Sequence, residues 1–181
     1  MGLFSKYSKR TSSKNGEIVV WKNFLLPWQI SVNDCGQTTQ YTHAMWIDAF
    51  KRFHKHKLAE GAKNILMLGL GAGGEISTIH TYFPNSTLTV VEYDEAMVLL
   101  TQELGLYKPH PFPTVLLGDA QDIVPTIKET FDLVILDLFL GPEPSPLDTN
   151  EEFITQLKQL LKQKGVLLIN VYRRSEYLET A

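Results

Sequence analysis

This sequence predicts an α/β domain: a largely parallel sheet with helices on both faces, preceded by a small N-terminal β segment. Three observations carry that reading. Five short apolar runs alternate with helical patterns from Asn64 onward, as strands buried on both faces and joined by crossover helices do. A glycine cluster, Gly69-Leu70-Gly71-Ala72-Gly73-Gly74, directly follows the first run. The second run ends in an acid, Glu92. Strand, glycine turn, helix, strand and terminal acid make a βαβ nucleoside-binding unit, whose carboxylate accepts from the hydroxyls of a ribose.

Taken in order, residues 1–16 read as a flexible basic arm, polar and without the apolar stretch of a signal peptide. Residues 17–40 read as a β-hairpin segment. Glu17 to Trp21 is one strand, and Trp28 to Val32 with Cys35 to Thr39 is a hairpin turning at Asn33-Asp34. Residues 41–181 form the nucleoside-binding domain. It opens on a helix from Tyr41 to about Lys57, in which Trp46, Ala49, Phe50 and Phe53 recur at helical spacing. His54 and His56 diverge on such a helix and read as solvated surface histidines, not metal ligands.

The organising unit follows: strand Ile65 to Leu68, glycine loop, helix Glu75 to Thr81, strand Leu88 to Val91. A helix from Glu95 to Leu104 turns Ala96, Leu99, Leu100 and Leu104 inward. Strand Thr114 to Leu117, a short helix around Gln121 to Lys128 and strand Asp132 to Leu136 come next. A proline-rich loop reaches Thr149-Asn150-Glu151-Glu152, a capping box that opens a helix closed by Lys164-Gly165. The last strand is Val166 to Val171.

Composition narrows the function. At 181 residues with 44% hydrophobic and 20% charged side chains, the chain suits one ordinary globular domain. A net charge of −3 gives no electrostatic case for nucleic acid. No apolar run approaches the roughly 18 residues that span a membrane. One cysteine, Cys35, excludes an internal disulfide and fits a reducing, cytoplasmic setting. No metal is expected, and a homodimer is open.

Right-handed crossovers place Gly69, Gly71, Gly73, Glu92, Asp119 and Asp137 at the strands' C-terminal edge, where such sheets bind ligands. Asp119 would serve equally as a helix N-cap, and Asp137 as a solvated strand end.

Gly69-x-Gly71-x-Gly73, Glu92 and Gly118-Asp119-Ala120 together resemble the Rossmann-like, class I fold of enzymes that use S-adenosylmethionine (AdoMet). That resemblance implies the glycine loop against the amino-acid part of the cofactor, Glu92 on the ribose, and Asp119 with Ala120 at the adenine. An NAD dehydrogenase shares the first two features but has no regular use for Asp119.

A narrower resemblance lies outside the glycine loop. Asn33-Asp34-Cys35-Gly36-Gln37-Thr38 followed by Tyr41-Thr42-His43-Ala44-Met45, and Leu136-Asp137 with its proline-rich loop, look like the spermidine synthase family of polyamine aminopropyltransferases. It implies AdoMet or decarboxylated AdoMet as a substrate, an amine as acceptor, Gln37 and Asp137 at the ligand, and Asp137 and Tyr41 in catalysis. Two departures stand out: Ala72 and Leu140 occupy positions where the family keeps acids. The chain also stops soon after the fifth strand, without the sixth and seventh usual in this fold, which reads as a truncated homologue or part of a longer protein. Three readings follow: an aminopropyltransferase with an atypical acceptor site, an AdoMet-dependent methyltransferase, or a non-catalytic nucleoside-binding relative.

Overall fold

The computed structural model describes residues 6–22, 28–38, 40–55, 61–140 and 143–171. The first element corrects the expected flexible arm. β1 (Lys6–Ser12) pairs antiparallel with β2 (Gly16–Lys22) along its whole length. Its turn ends at Asn15-Gly16, with Gly16 at φ +73° and the Ser12 hydroxyl accepting from the Lys14 and Asn15 amides. Asn-Gly is a strong hairpin signal that the basic composition concealed. β3 (Gln29–Val32) and β4 (Cys35–Gly36) complete a four-stranded antiparallel sheet. Their turn residues, Asn33 and Asp34, both have positive φ, as a tight two-residue hairpin turn requires.

α1 (Gln40–Lys55) follows, burying Trp46 and Phe50. His54 is exposed, yet its Nε2 lies 3.1 Å from the Tyr82 carbonyl and its ring stacks on Phe83, so it is more than a solvated histidine. His56 falls outside the described residues, as does Pro27.

β5 (Asn64–Leu68), α2 (Ile76–Tyr82), β6 (Thr87–Glu92), α3 (Glu95–Leu104), β7 (Thr114–Leu117), α4 (Ala120–Ile123) and β8 (Phe131–Leu136) keep the alternating pattern. A small ribbon of β9 (Phe139–Leu140) and β10 (Glu143–Pro144) precedes α5 (Glu151–Gln159) and β11 (Leu161–Ile169). The main sheet has five strands in the order β11-β8-β5-β6-β7, and every pairing in it is parallel.

Alternation along the strands divides two cores. Ile65, Met67, Val90, Leu133 and Ile135 face α1 and α2, through Trp46, Phe50, Ile76, Ile79 and Phe83. Leu66, Leu68, Val91, Val134 and Leu136 face the other side, against Ala120, Val124, Phe153 and Leu157. Each fully buried Leu, Ile or Phe here contributes about 1.5–3 kcal/mol.

Three local expectations need correction. Leu99 is 56% exposed, and α3 instead buries Met97, Leu100 and Thr101, a stripe at i, i+3 and i+4. The cap of α5 is Asn150, whose Oδ1 accepts from the Phe153 amide at 2.9 Å; Thr149 is held in a 3₁₀ turn over Pro146–Thr149. That helix ends at Gln159, not near Lys164, because the chain joins β8 from Leu161 with a register shift before Val166. Gly165 sits in that irregularity, where a Cβ would come 2.8 Å from the Phe131 carbonyl.

The antiparallel sheet docks on the organising unit. Ile18, Val20, Ile30 and Val32 pack against Ala72, Met97 and Leu100. Asp94, 3% exposed, accepts from the Ser12 hydroxyl, the Asn15 side-chain amide and the Ala96 amide, joining that sheet to the start of α3. This contact brings the hairpin over the glycine loop.

Candidate functional site

A cleft of about 610 Å³ opens at the C-terminal edge of the main sheet. β5 and β8 are neighbours there, and the strand order runs away from them in both directions, the switch point where such sheets receive ligands. Gln37, Gly69, Gly71, Glu92, Asp119, Ala120 and Asp137 all line it. Gly73, also expected at the ligand, is directed elsewhere: at φ +75°, it lies against α3 so closely that a Cβ would strike Thr101. The side chain of Tyr41 lies outside the described residues.

Gln37 comes from the end of the hairpin, with its amide donating to the Ile30 carbonyl. Its Oε1 would stand 3.9 Å from a Cβ on Gly71, so the hairpin places an amide side chain directly on the glycine loop.

Glu92 is 7% exposed and is fixed by backbone. Its Oε2 accepts from the Leu70 amide, and its Oε1 from the Tyr93 and Asp94 amides, each at 2.8 Å. Burial raises its pKa, those amides oppose the shift, and the nearby Asp94 charge adds to it. A carboxylate offers about four acceptor positions, so three bonds to the protein leave room for about one more. The carboxylate therefore shapes the loop and can also meet a ligand hydroxyl.

Asp119 is exposed and caps α4, its Oδ1 accepting from the Gln121 amide at 2.9 Å. Capping and cleft lining coexist in one residue.

Asp137 ends β8. Asn170, beyond β11, donates to its Oδ1 at 2.7 Å, and Trp46 of α1 also hydrogen-bonds it. Burial outweighs both and pushes its carboxyl up to about 6. Asp148, in the 3₁₀ turn, is 8% exposed, and neither carboxylate oxygen has a hydrogen-bond partner among the described residues. Burial, with the Asp137 charge adding, pushes it up to about 7.

Glu75, read in the sequence only as a helix start, also lines the cleft. Burial raises its pKa, Thr78 and His43 pull it down, and Asp137 pushes it up. An acid just after a nucleotide-loop glycine was the available signal for it. Among the described residues no group of three or more His, Cys, Asp or Glu is placed to hold a metal, and no helix is long and apolar enough to cross a membrane.

Glycine loop, buried acid at the end of β6 and switch-point cleft belong to a Rossmann-like, class I methyltransferase-type scaffold. The family model of the spermine/spermidine synthase domain matches residues 50–176, and the chain belongs to that family. It is 30% identical over 118 residues to the polyamine aminopropyltransferase of Vibrio vulnificus, covering 63% of this chain and 39% of that protein. It is 29% identical over 137 residues to the eEF1A lysine and N-terminal methyltransferase homolog of Drosophila melanogaster, covering 70% of this chain and 20% of that one. The chain thus spans less than half the length of these relatives.

Among solved structures, a probable spermidine synthase from Corynebacterium glutamicum superimposes with a TM-score of 0.78 at 21% identity, over 94% of this chain and 66% of that one. Human methyltransferase-like protein 13 in complex with SAH gives 0.61 at 22% identity, over 78% and 68%. These two likenesses establish the fold.

Proposed function

We propose that this chain binds decarboxylated AdoMet and transfers its aminopropyl group to an amine, as a spermidine-synthase-like enzyme with an atypical acceptor site. One observation carries the reading. The described residues lining the cleft include the carboxylates of Glu75, Glu92, Asp119 and Asp137 and no Lys, Arg or His. Decarboxylated AdoMet presents a sulfonium and an ammonium, both cationic, to that anionic wall. AdoMet adds a carboxylate, which would meet like charge without a cationic side chain to offset it. In this reading Glu92 accepts from the ribose, Asp119 with Ala120 meets the adenine, Gln37 covers the glycine loop, and Asp137 holds an amine. Amine nitrogen and sulfonium carbon held at one strand end would gain from proximity.

Methyl transfer is the second reading. Ala72 favours it, because the glycine loop lacks the acid that the family resemblance places there, and the Drosophila relative is a methyltransferase homolog by name.

Calorimetric titration with AdoMet, decarboxylated AdoMet and methylthioadenosine side by side tests both. Tighter binding of the decarboxylated form is expected. Tighter binding of AdoMet transfers the case to methyl transfer, and binding of none of the three removes both enzyme readings.

A further inference from the structure

Asp137 alone is poorly suited both to hold a cationic amine and to accept its proton, so a second carboxylate within the cleft matters. Glu75 is the N-cap residue of α2, yet its side chain makes no capping hydrogen bond to that helix. Its side chain is 13% exposed, and Oε2 is buried without a hydrogen-bond partner among the described residues. The imidazole of His43 of α1 lies beside it, with Nδ1 3.7 Å from Oε2. The Thr78 hydroxyl lies 3.1 Å from the same Nδ1 and interacts with the Glu75 carboxyl as well. The His43 side chain is 53% exposed, so this group of three runs from the cleft to solvent.

On the aminopropyl-transfer reading above, on which this step rests, we propose that Glu75 is the general base for the acceptor amine and that Thr78 and His43 pass its proton to solvent. A primary ammonium seated beside Asp137 gives one N–H proton to the Glu75 carboxylate. The freed lone pair forms a bond to the methylene carbon next to the sulfonium. The C–S bond breaks, its electrons stay on sulfur as a neutral thioether, and the transferred product leaves as a secondary ammonium. The proton moves through the Thr78 hydroxyl to His43 Nδ1, and the imidazolium releases its other N–H proton to water. Burial raises the pKa of Glu75, the direction that makes a carboxylate a stronger base. Burial pushes neighbouring Asp137 up to about 6, and every variant below retains it.

The assay is methylthioadenosine release from decarboxylated AdoMet and putrescine, with methylthioadenosine affinity measured in parallel. Glu75→Gln is expected to lower turnover by about 100-fold or more, the usual contribution of a general base, with nucleoside affinity retained. Glu75→Asp, which keeps the charge, should recover part of that loss. His43→Ala should make turnover depend on the concentration of an imidazole buffer, since a solute must then remove the proton. Turnover by Glu75→Gln close to that of the unaltered chain overturns the base, as does equal loss in Gln and Asp variants. Buffer-independent turnover by His43→Ala overturns the relay. Nucleoside binding by the unaltered chain without transfer to the amine also overturns the base, whereas absent nucleoside binding overturns the reading beneath it.

Discussion

Gly69 and Asp137 meet at the switch point of the sheet. The Asp137 amide donates to the Leu68 carbonyl at 2.9 Å, and a side chain at position 69 would run into the Asp137 carbonyl. The start of the glycine loop and Asp137 are therefore held against each other through backbone. Gly69 also sits at φ +94°, a conformation that disfavours any residue with a Cβ.

Gly69→Ala and Gly71→Ala should consequently separate. At Gly71, φ is +55° and a Cβ would meet only Gln37 at an ordinary 3.9 Å, so the cost is the left-handed backbone alone, about 1–2 kcal/mol. At Gly69 the collision adds to that strain and must move β5 from β8. Urea unfolding should show the larger loss for Gly69→Ala, and similar losses at both positions would mean that the strand ends part easily.

Asp119 carries two roles that substitution can divide. Asn is as good an N-cap as Asp, so Asp119→Asn should leave the melting temperature nearly unchanged, whereas Asp119→Ala should cost about 1 kcal/mol. If the same carboxylate meets an adenine amino group, Asp119→Asn weakens adenosine ligands more than their inosine analogues. Equal weakening of both ligands would leave Asp119 a cap and nothing further.

Stability should fall as pH rises through the range set by Asp137 and Asp148. Both have an ordinary value of 3.8, raised in the folded protein to about 6 and about 7. The folded state thus holds these protons more tightly than the unfolded chain. Their favourable contribution is complete below the unfolded value and is lost as pH rises through the folded ones. Thermal melts at about pH 5 and about pH 8 should show the decline, and Asp148→Asn should flatten it, since an amide does not titrate. An unchanged slope in that variant would remove Asp148 from the account.

Much of the fold is legible in the sequence. Glycine spacing, apolar run length and the acid at the end of β6 each follow from local chemistry, so the five-stranded parallel sheet and the cleft residues Gly69, Glu92 and Asp137 were all in view. What escaped depended on partners distant in sequence. β1 is polar, and its place depends on pairing with β2 and on Asp94 receiving Ser12 and Asn15. Leu99 belongs to an apolar helix whose inner face is chosen by the antiparallel sheet, through Met97 and Leu100. Thr149 and Asn150 are both good caps, and only the preceding 3₁₀ turn decides between them. Glu75 was hidden because nothing in its neighbourhood along the chain announces His43 or Asp137.

Ala72 gives the last prediction. The family resemblance places an acid here, and restoring it is the obvious way to add charge to an amine site. Yet Ala72 is 1% exposed and packs with Ile18, Val20, Met97 and Leu100 where the antiparallel sheet covers the loop. A carboxylate at this position would lose hydration among aliphatic side chains, and removing a charge from water without a partner costs several kcal/mol. Its pKa would rise until it was held protonated, which forfeits the charge the substitution was meant to supply. Ala72→Asp should therefore lower the melting temperature and, with Glu75 present, add little to putrescine turnover. In a Glu75→Gln background the same substitution should add equally little, because a carboxyl held protonated cannot replace the lost base. Methylthioadenosine release from the four combinations of residues 72 and 75 decides the matter. A large gain from Ala72→Asp alone, without loss of stability, would show that the sheet yields at this point and that the acceptor charge was missing after all.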